Sequence, residues 1–202
     1  LVFTWHFIHV TGGEMAPPPV FPLSLFSEGH TGVALFMVLS GYIFARLLDG
    51  RQIVFTAFLW NRLLRLVPLL FVVTLLTALV RYLEAGSLTA WLQQLSADGI
   101  KFLSPSGAWS IAVEFNFYLL LPFFLFVSRR WKYALFVVLL AALVLRSLLY
   151  LRLGELQTLS YWTIIGRNDQ FVLGILAWQF RQHITGRHWL LAVTLLLFAV
   201  FY

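Results

Sequence analysis

Cysteine is absent from all 202 residues of the chain, which excludes disulfides, a thiolate nucleophile and any thiolate-bound metal or cluster. Charge is almost as scarce. Only 11% of the residues are charged, whereas 61% are hydrophobic and 17% aromatic, with 20 Phe and 8 Trp. With a mean hydropathy of +0.88, such a chain lacks the polar groups to cover itself in water, and a polytopic membrane protein is expected. Also lacking are an internal repeat, a heptad array, a Gly/Ser linker and a low-complexity tail. A single membrane-embedded domain over residues 1–202 is therefore the economical reading. No signal-peptide pattern of basic start, short apolar core and small-residue cleavage site is visible. The chain opens in Leu1-Val-Phe-Thr-Trp-His6 and closes in the apolar run Leu190 to Tyr202, so it is expected to be truncated at both ends.

What is present is a series of apolar runs. Those long enough to cross about 30 Å at 1.5 Å per residue occupy 31–48, 66–83, 109–127, 133–151 and 163–180, with partial spans at 1–11 and 189–202. The expected fold is an all-α, polytopic transmembrane helix bundle of about five complete spans plus partial ones at both ends. The net charge of +6 does not point to nucleic acid, because the basic residues sit at the ends of apolar runs instead of in solvated clusters. Arg46, Arg51, Arg62, Arg65, Arg129, Arg130, Lys132, Arg181 and Arg187 fall on one side, expected to be cytoplasmic; the Trp109 end of its run is then outside. The apolar stretch Ile53 to Trp60 is too short to cross by itself and reads as a segment along the cytoplasmic interface, with Arg62 and Arg65 in the loop behind it.

Glu114 lies inside Trp109-Ser-Ile-Ala-Val-Glu-Phe-Asn-Phe-Tyr-Leu-Leu-Leu-Pro122, otherwise a membrane-spanning pattern. An ionised carboxylate there costs roughly 2.5–3.5 kcal/mol on insertion scales, so it normally faces a partner, a cavity or a substrate. On a helix it shares a face with Ser110 and Tyr118, a polar seam, although Tyr118 itself reads as a packing or interface aromatic. The structural alternative is a buried Glu that ties helices together.

Arg62 and Arg65, three residues apart in Arg62-Leu-Leu-Arg65-Leu-Val-Pro68, share a helical face and make a fork for an anion. Guanidinium binds phosphate bidentately at any relevant pH, which suits a phosphorylated donor such as a nucleotide or coenzyme A. Topological anchors that meet lipid phosphates have the same appearance. His6 and His9 lie on roughly one face of the first helix; a histidine near neutral pH is the usual base for activating a hydroxyl. Two His at that spacing lack the third ligand a metal needs, and none is expected. Arg167 and Asp169 read as a local interfacial pair.

In order along the chain, Gly32-Val-Ala-Leu-Phe-Met-Val-Leu-Ser-Gly-Tyr42, Arg62-Leu-Leu-Arg65, Trp109-Ser-Ile-Ala-Val-Glu-Phe-Asn-Phe-Tyr118 and Gly166-Arg-Asn-Asp-Gln-Phe-Val-Leu-Gly174 resemble segments of the acyltransferase-3 family of integral membrane O-acyltransferases. Ala34 stands where that family commonly has Asp, Met37 replaces a Phe, Phe115 replaces a frequent second carboxylate and Asn116 a Gln. The resemblance implies transfer of an acyl group, usually acetyl, from acyl-CoA to a hydroxyl of a carbohydrate or lipid-linked glycan. It further implies an integral protein of a bacterial plasma membrane. By the same analogy Arg62 and Arg65 hold the phosphates of the donor, His6 is the acceptor base or a transient acyl carrier, and Glu114 partners or orients His6. A transporter or lipid-handling membrane protein would share the intramembrane carboxylate and the arginines, but would be expected to show matched Gly/Pro-interrupted helices, and none are visible.

Overall fold

The computed structural model describes residues 29–51, 54–100, 109–154 and 163–201. Among them the chain forms helices α1 (Gly29–Leu48), α2 (Phe55–Ala85), α3 (Thr89–Ile100), α4 (Trp109–Arg130), α5 (Ala134–Leu153), α6 (Ile164–Gln179), α7 (Arg181–Ile184) and α8 (His188–Phe201). Thr31–Leu48 and the whole of α2, α4 and α5 are long and apolar enough to cross a bilayer. The all-α membrane bundle expected from the runs is therefore what forms. The run at 163–180 becomes the 16-residue α6, about 24 Å long and short of the roughly 20 residues a full crossing takes.

Residues 55–60 and the arginines behind them are not an interfacial segment and a loop. They form the first turns of one continuous 31-residue helix, α2. Nothing between Trp60 and Leu66 breaks the helix: the intervening residues are Asn, Arg and Leu, and all can continue it. Pro68 lies in its interior, so Leu64 loses the usual i+4 amide donor without ending the helix. The break comes at Gly86, in the left-handed conformation (φ 66°), whose amide caps the Tyr82 carbonyl at 2.8 Å. No residue of α2 is buried. A helix apolar on all sides with no protein cover is stable only in lipid.

The described residues fall into two compact units, one with those of 29–47 and 170–201 and the other with those between 48 and 169. In the first, α1 and α6 approach to backbone contact. A Cβ on Gly41 would lie 2.0 Å from the Phe171 carbonyl oxygen, and one on Gly174 would lie 2.0 Å from that of Val38 and 2.7 Å from the Tyr42 amide nitrogen. Lipid tails are as apolar as Leu, so helices in a bilayer gain little from hydrophobic burial and associate through close packing of small residues. Met37, Phe44, Phe171, Val172 and Ile175 are buried around this approach.

The second unit is built on α4, with α2 and α5 packed against it. Residues Val113, Phe117, Tyr118, Leu121 and Phe124 form its buried face, spaced as one stripe of a 3.6-residue helix. Asp169, read from sequence as a partner of Arg167, instead pairs with Arg146 of α5, with Oδ2 2.7 Å from Nη2. Arg167 lies over the Trp109 ring, 5.4 Å from its centroid. Among the described residues, Arg146 Nε, Asn168 Oδ1 and Asp169 Oδ1 are buried without hydrogen-bond partners, so the ion pair balances charge without using its full bonding capacity.

Two stability predictions follow from these contacts. Gly174→Val drives a branched side chain into backbone and should lower unfolding stability of the protein in lipid nanodiscs by about 3 kcal/mol, whereas lipid-facing Leu79→Ala should stay within about 0.5 kcal/mol. Equal midpoints for the two would contradict the close approach. Asp169→Asn should cost about 3 kcal/mol by leaving Arg146 uncompensated, and Arg146→Met combined with Asp169→Leu should recover most of that loss.

Candidate functional site

Helix α4 carries Glu114 and Tyr118 one turn apart on the same face. The Tyr118 hydroxyl donates a hydrogen bond to Glu114 Oε1, and the phenol ring is almost completely buried. Glu114 is half-buried beside it. The carboxyl group that the sequence placed in hydrocarbon is thus partnered from within its own helix. That bond lies within one helix.

The link to a second helix runs through the ring of Tyr118. Phe58 of α2 meets it edge-on, with centroids 5.8 Å apart at 86°. The Arg62 guanidinium carbon lies 5.6 Å from the Phe58 centroid and 5.7 Å from that of Tyr118. Both separations are inside the range of cation–π attraction, which strengthens where water is excluded. Phe58 and Arg62 are four residues apart, so a continuous helix sets one above the other and aims both at α4.

Tyr118 is twelve residues from Arg130 at the end of α4, about 18 Å at 1.5 Å per residue. The Arg62 guanidinium held against that ring therefore faces the middle of α4. Arg65, one turn further along α2, is exposed. Of the sequence candidates, then, the structure brings Arg62 and Glu114 together through Tyr118 and leaves Arg65 at the rim of the cluster. His6 and His9 lie outside the described residues.

Toward the arginine-rich end of α4 these two helices, with Leu48 and Arg51 before α2, line a cleft of about 370 Å³. Phe58 lines it, so the cleft and the Arg62 cluster share a wall. Leu121, also in the lining, is three residues beyond Tyr118. Phe55 stacks with Phe58 on the α2 side, centroids 6.3 Å apart and planes 20° from parallel. Two arginines complete the lining, Arg51 and Arg129, and Arg129 Nη2 donates 2.8 Å to the Leu48 carbonyl. Sequence reasoning did not find Phe58, the linking role of Tyr118 or the cleft. The signal for the first was the i, i+4 spacing of Phe58 and Arg62, legible only once 55–66 is taken as one helix.

In comparison with known proteins, a family model described as an acyltransferase domain, acyltransferase-3, matches residues 1–202, the whole chain. No curated protein and no solved structure matches it.

A double-mutant cycle checks the hydrogen bond at the centre of the site. Tyr118→Phe and Glu114→Gln should show a coupling energy of about 0.6 kcal/mol or more in equilibrium unfolding, the size found for side-chain hydrogen bonds between helices in lipid. Tyr118→Phe and Glu84→Gln, whose Glu belongs to an exposed pair with Arg81, should be additive. Additivity in the first cycle would show that the phenol and the carboxyl do not act together.

Proposed function

The chain belongs to the acyltransferase-3 domain family, and from that membership and the geometry around Glu114 we propose that it is a membrane O-acyltransferase using acyl-CoA, with acetyl as the acyl group. The acceptor is a hydroxyl of a carbohydrate or lipid-linked glycan, and the protein resides in a bacterial plasma membrane. One observation supports this reading: a cation from one sequence motif and a carboxyl group from another both contact Tyr118, between α2 and α4 and beside a cleft whose lining includes Arg51 and Arg129. A pair of groups that costly in hydrocarbon is retained where it binds or reacts.

The chemistry is a single exchange. The acceptor oxygen attacks the thioester carbonyl carbon, a C–O bond forms as the C–S bond breaks, and the products are an ester and free coenzyme A. His6 takes the hydroxyl proton and returns a proton to the departing thiolate, as a general base and then a general acid. Glu114, whose carboxyl accepts from the Tyr118 hydroxyl, is the base partner in that transfer. Arg62 and Arg65 supply the positive charge that holds the diphosphate of the donor. With Arg62 facing the middle of α4, the thioester arm reaches toward the outer half of the bilayer, where an outward-facing acceptor meets it. No metal takes part in this scheme.

The test uses membranes containing the protein and coenzyme A thioester labelled in its acetyl group, with label followed into protein, lipid and glycan. Wild type should transfer label, and Arg62→Ala, Arg65→Ala, Glu114→Gln and His6→Ala at equal abundance should each reduce the rate about 100-fold or more. Wild-type rates in Glu114→Gln would remove Glu114 from the reaction. A folded wild type that transfers nothing and binds no coenzyme A would favour transport instead.

A further inference from the structure

A second polar cluster lies outside the Arg62–Tyr118–Glu114 site. Arg146 stands seven residues before the end of α5, and Asp169 five residues into α6. Glu114 is likewise five residues into α4. All three are counted from helix ends opposite the arginine-rich loops, and at 1.5 Å per residue they lie about 8–10 Å within their helices. Arg167 holds the start of α6 to the start of α4: its guanidinium carbon is 5.4 Å from the Trp109 centroid, and the residue is buried. The cluster is therefore beside the end of α4 that bears Glu114, away from the end that Arg129 and Arg130 mark.

Guanidinium and carboxylate frequently close on each other as a fork of two parallel hydrogen bonds. Here they touch at one corner, Arg146 Nη2 to Asp169 Oδ2 at 2.7 Å. The Nε donor of one group and the Oδ1 acceptor of the other are buried without a hydrogen-bond partner among the described residues, and so is Oδ1 of the adjacent Asn168. Buried polar atoms in that state are costly, and whatever meets them must both accept and donate. An anion can accept from Nε but is repelled by the two acceptor oxygens. A cation cannot accept from Nε at all. A hydroxyl does both with one atom, and two hydroxyls supply the one acceptor and two donors that Arg146, Asp169 and Asn168 require. The Arg146 and Asp169 side chains are 25% and 21% exposed, so a ligand can reach them.

We propose that Arg146, Asn168 and Asp169 form a recognition site for adjacent hydroxyl groups of a neutral sugar, the acceptor of the acyl group. The assignment of that sugar as acceptor rests on the acyltransferase reading and adds to it the residues that select the substrate. The hydroxyls held here position the ring, and a different hydroxyl of the same sugar takes the acyl group. Acceptor and donor then approach Glu114 from opposite ends of α4, the sugar from the Trp109 end and the donor from the end that Arg129 and Arg130 mark.

The test presents the purified protein in nanodiscs with a panel of methyl hexopyranosides, read by saturation-transfer NMR, with cyclohexanol as a one-hydroxyl control and coenzyme A binding measured in parallel. Wild type should bind at least one glycoside and not cyclohexanol, and inorganic phosphate should not compete. The variant combining Arg146→Met with Asp169→Leu removes both charges at little cost to the fold, as expected above, and should weaken glycoside binding about 10-fold or more while coenzyme A binds as in wild type. Asn168→Leu should weaken the same glycoside and provides a second variant should the combined one not fold. A purely structural ion pair predicts unchanged glycoside affinity in the folded double variant. That result, or displacement of the glycoside by phosphate, overturns the assignment and leaves the acyltransferase reading standing. So does a folded wild type that contacts no glycoside, since these atoms then bind water only. Glycoside binding that the variants lose, in a protein that binds no coenzyme A and transfers no label, keeps the sugar site and removes the acyltransferase reading instead.

Discussion

A charged or strongly polar group in hydrocarbon has no water to fall back on, and that constraint organises the part of this protein that carries its chemistry. Glu114 meets it through Tyr118, which donates to the carboxyl oxygen from one turn away. Arg62 meets it by lying against the faces of Phe58 and Tyr118. Neither solution works alone. The phenol ring is the common element, bonded at its hydroxyl to the carboxyl and in contact at its face with the guanidinium, so α2 and α4 are registered against each other by one side chain. In water such contacts would contribute little beside solvation. In a low-dielectric surround they are worth more.

The other unit is held by a different consequence of the same solvent. Where hydrophobic burial between helices gains little, backbones must come close enough for dispersion contacts to accumulate, and Gly41 and Gly174 remove the side chains that would prevent it. The Ser-Gly and Leu-Gly positions that mark the resembling motifs thus have a packing reason, independent of any role in catalysis. Helix α2 is the opposite case. It has no buried residue, touches its neighbours through a few side chains such as Phe58 and Arg62, and turns the rest of its surface to lipid.

Much of the secondary structure was legible in the residues because a span is a one-dimensional property: length and apolarity suffice to recognise α1, α4 and α5. The failures have local causes. Asn61, Arg62 and Arg65 interrupt the apolar run, which makes 53–66 look like an interfacial piece and a loop, yet arginine and leucine are good helix formers and the backbone continues through them. The run at 163–180 is long enough on composition, but Gly166, Arg167, Asn168, Asp169 and Gln170 make its first turns polar, and the helix that forms is short. Arg167 and Asp169 are two residues apart, on different faces of a helix. The close ion pair of Asp169 is with Arg146 of α5, which no spacing within α6 records.

The sequence by itself determined the solvent, the helical class, the intramembrane carboxyl and the arginine pair as features needing explanation, and it already carried the family resemblance that matches over the full chain. These depend on composition and on short spacings along one helix. Tertiary structure alone decided that Arg62 lies opposite the middle of α4, that Tyr118 joins it to Glu114, and that Phe55, Phe58, Arg51 and Arg129 enclose a cleft beside them. The physical reason is depth and register. A residue's distance from the membrane surface, and which residue of a neighbouring helix it faces, follow from how two helices are aligned, and no pattern within either helix records that alignment.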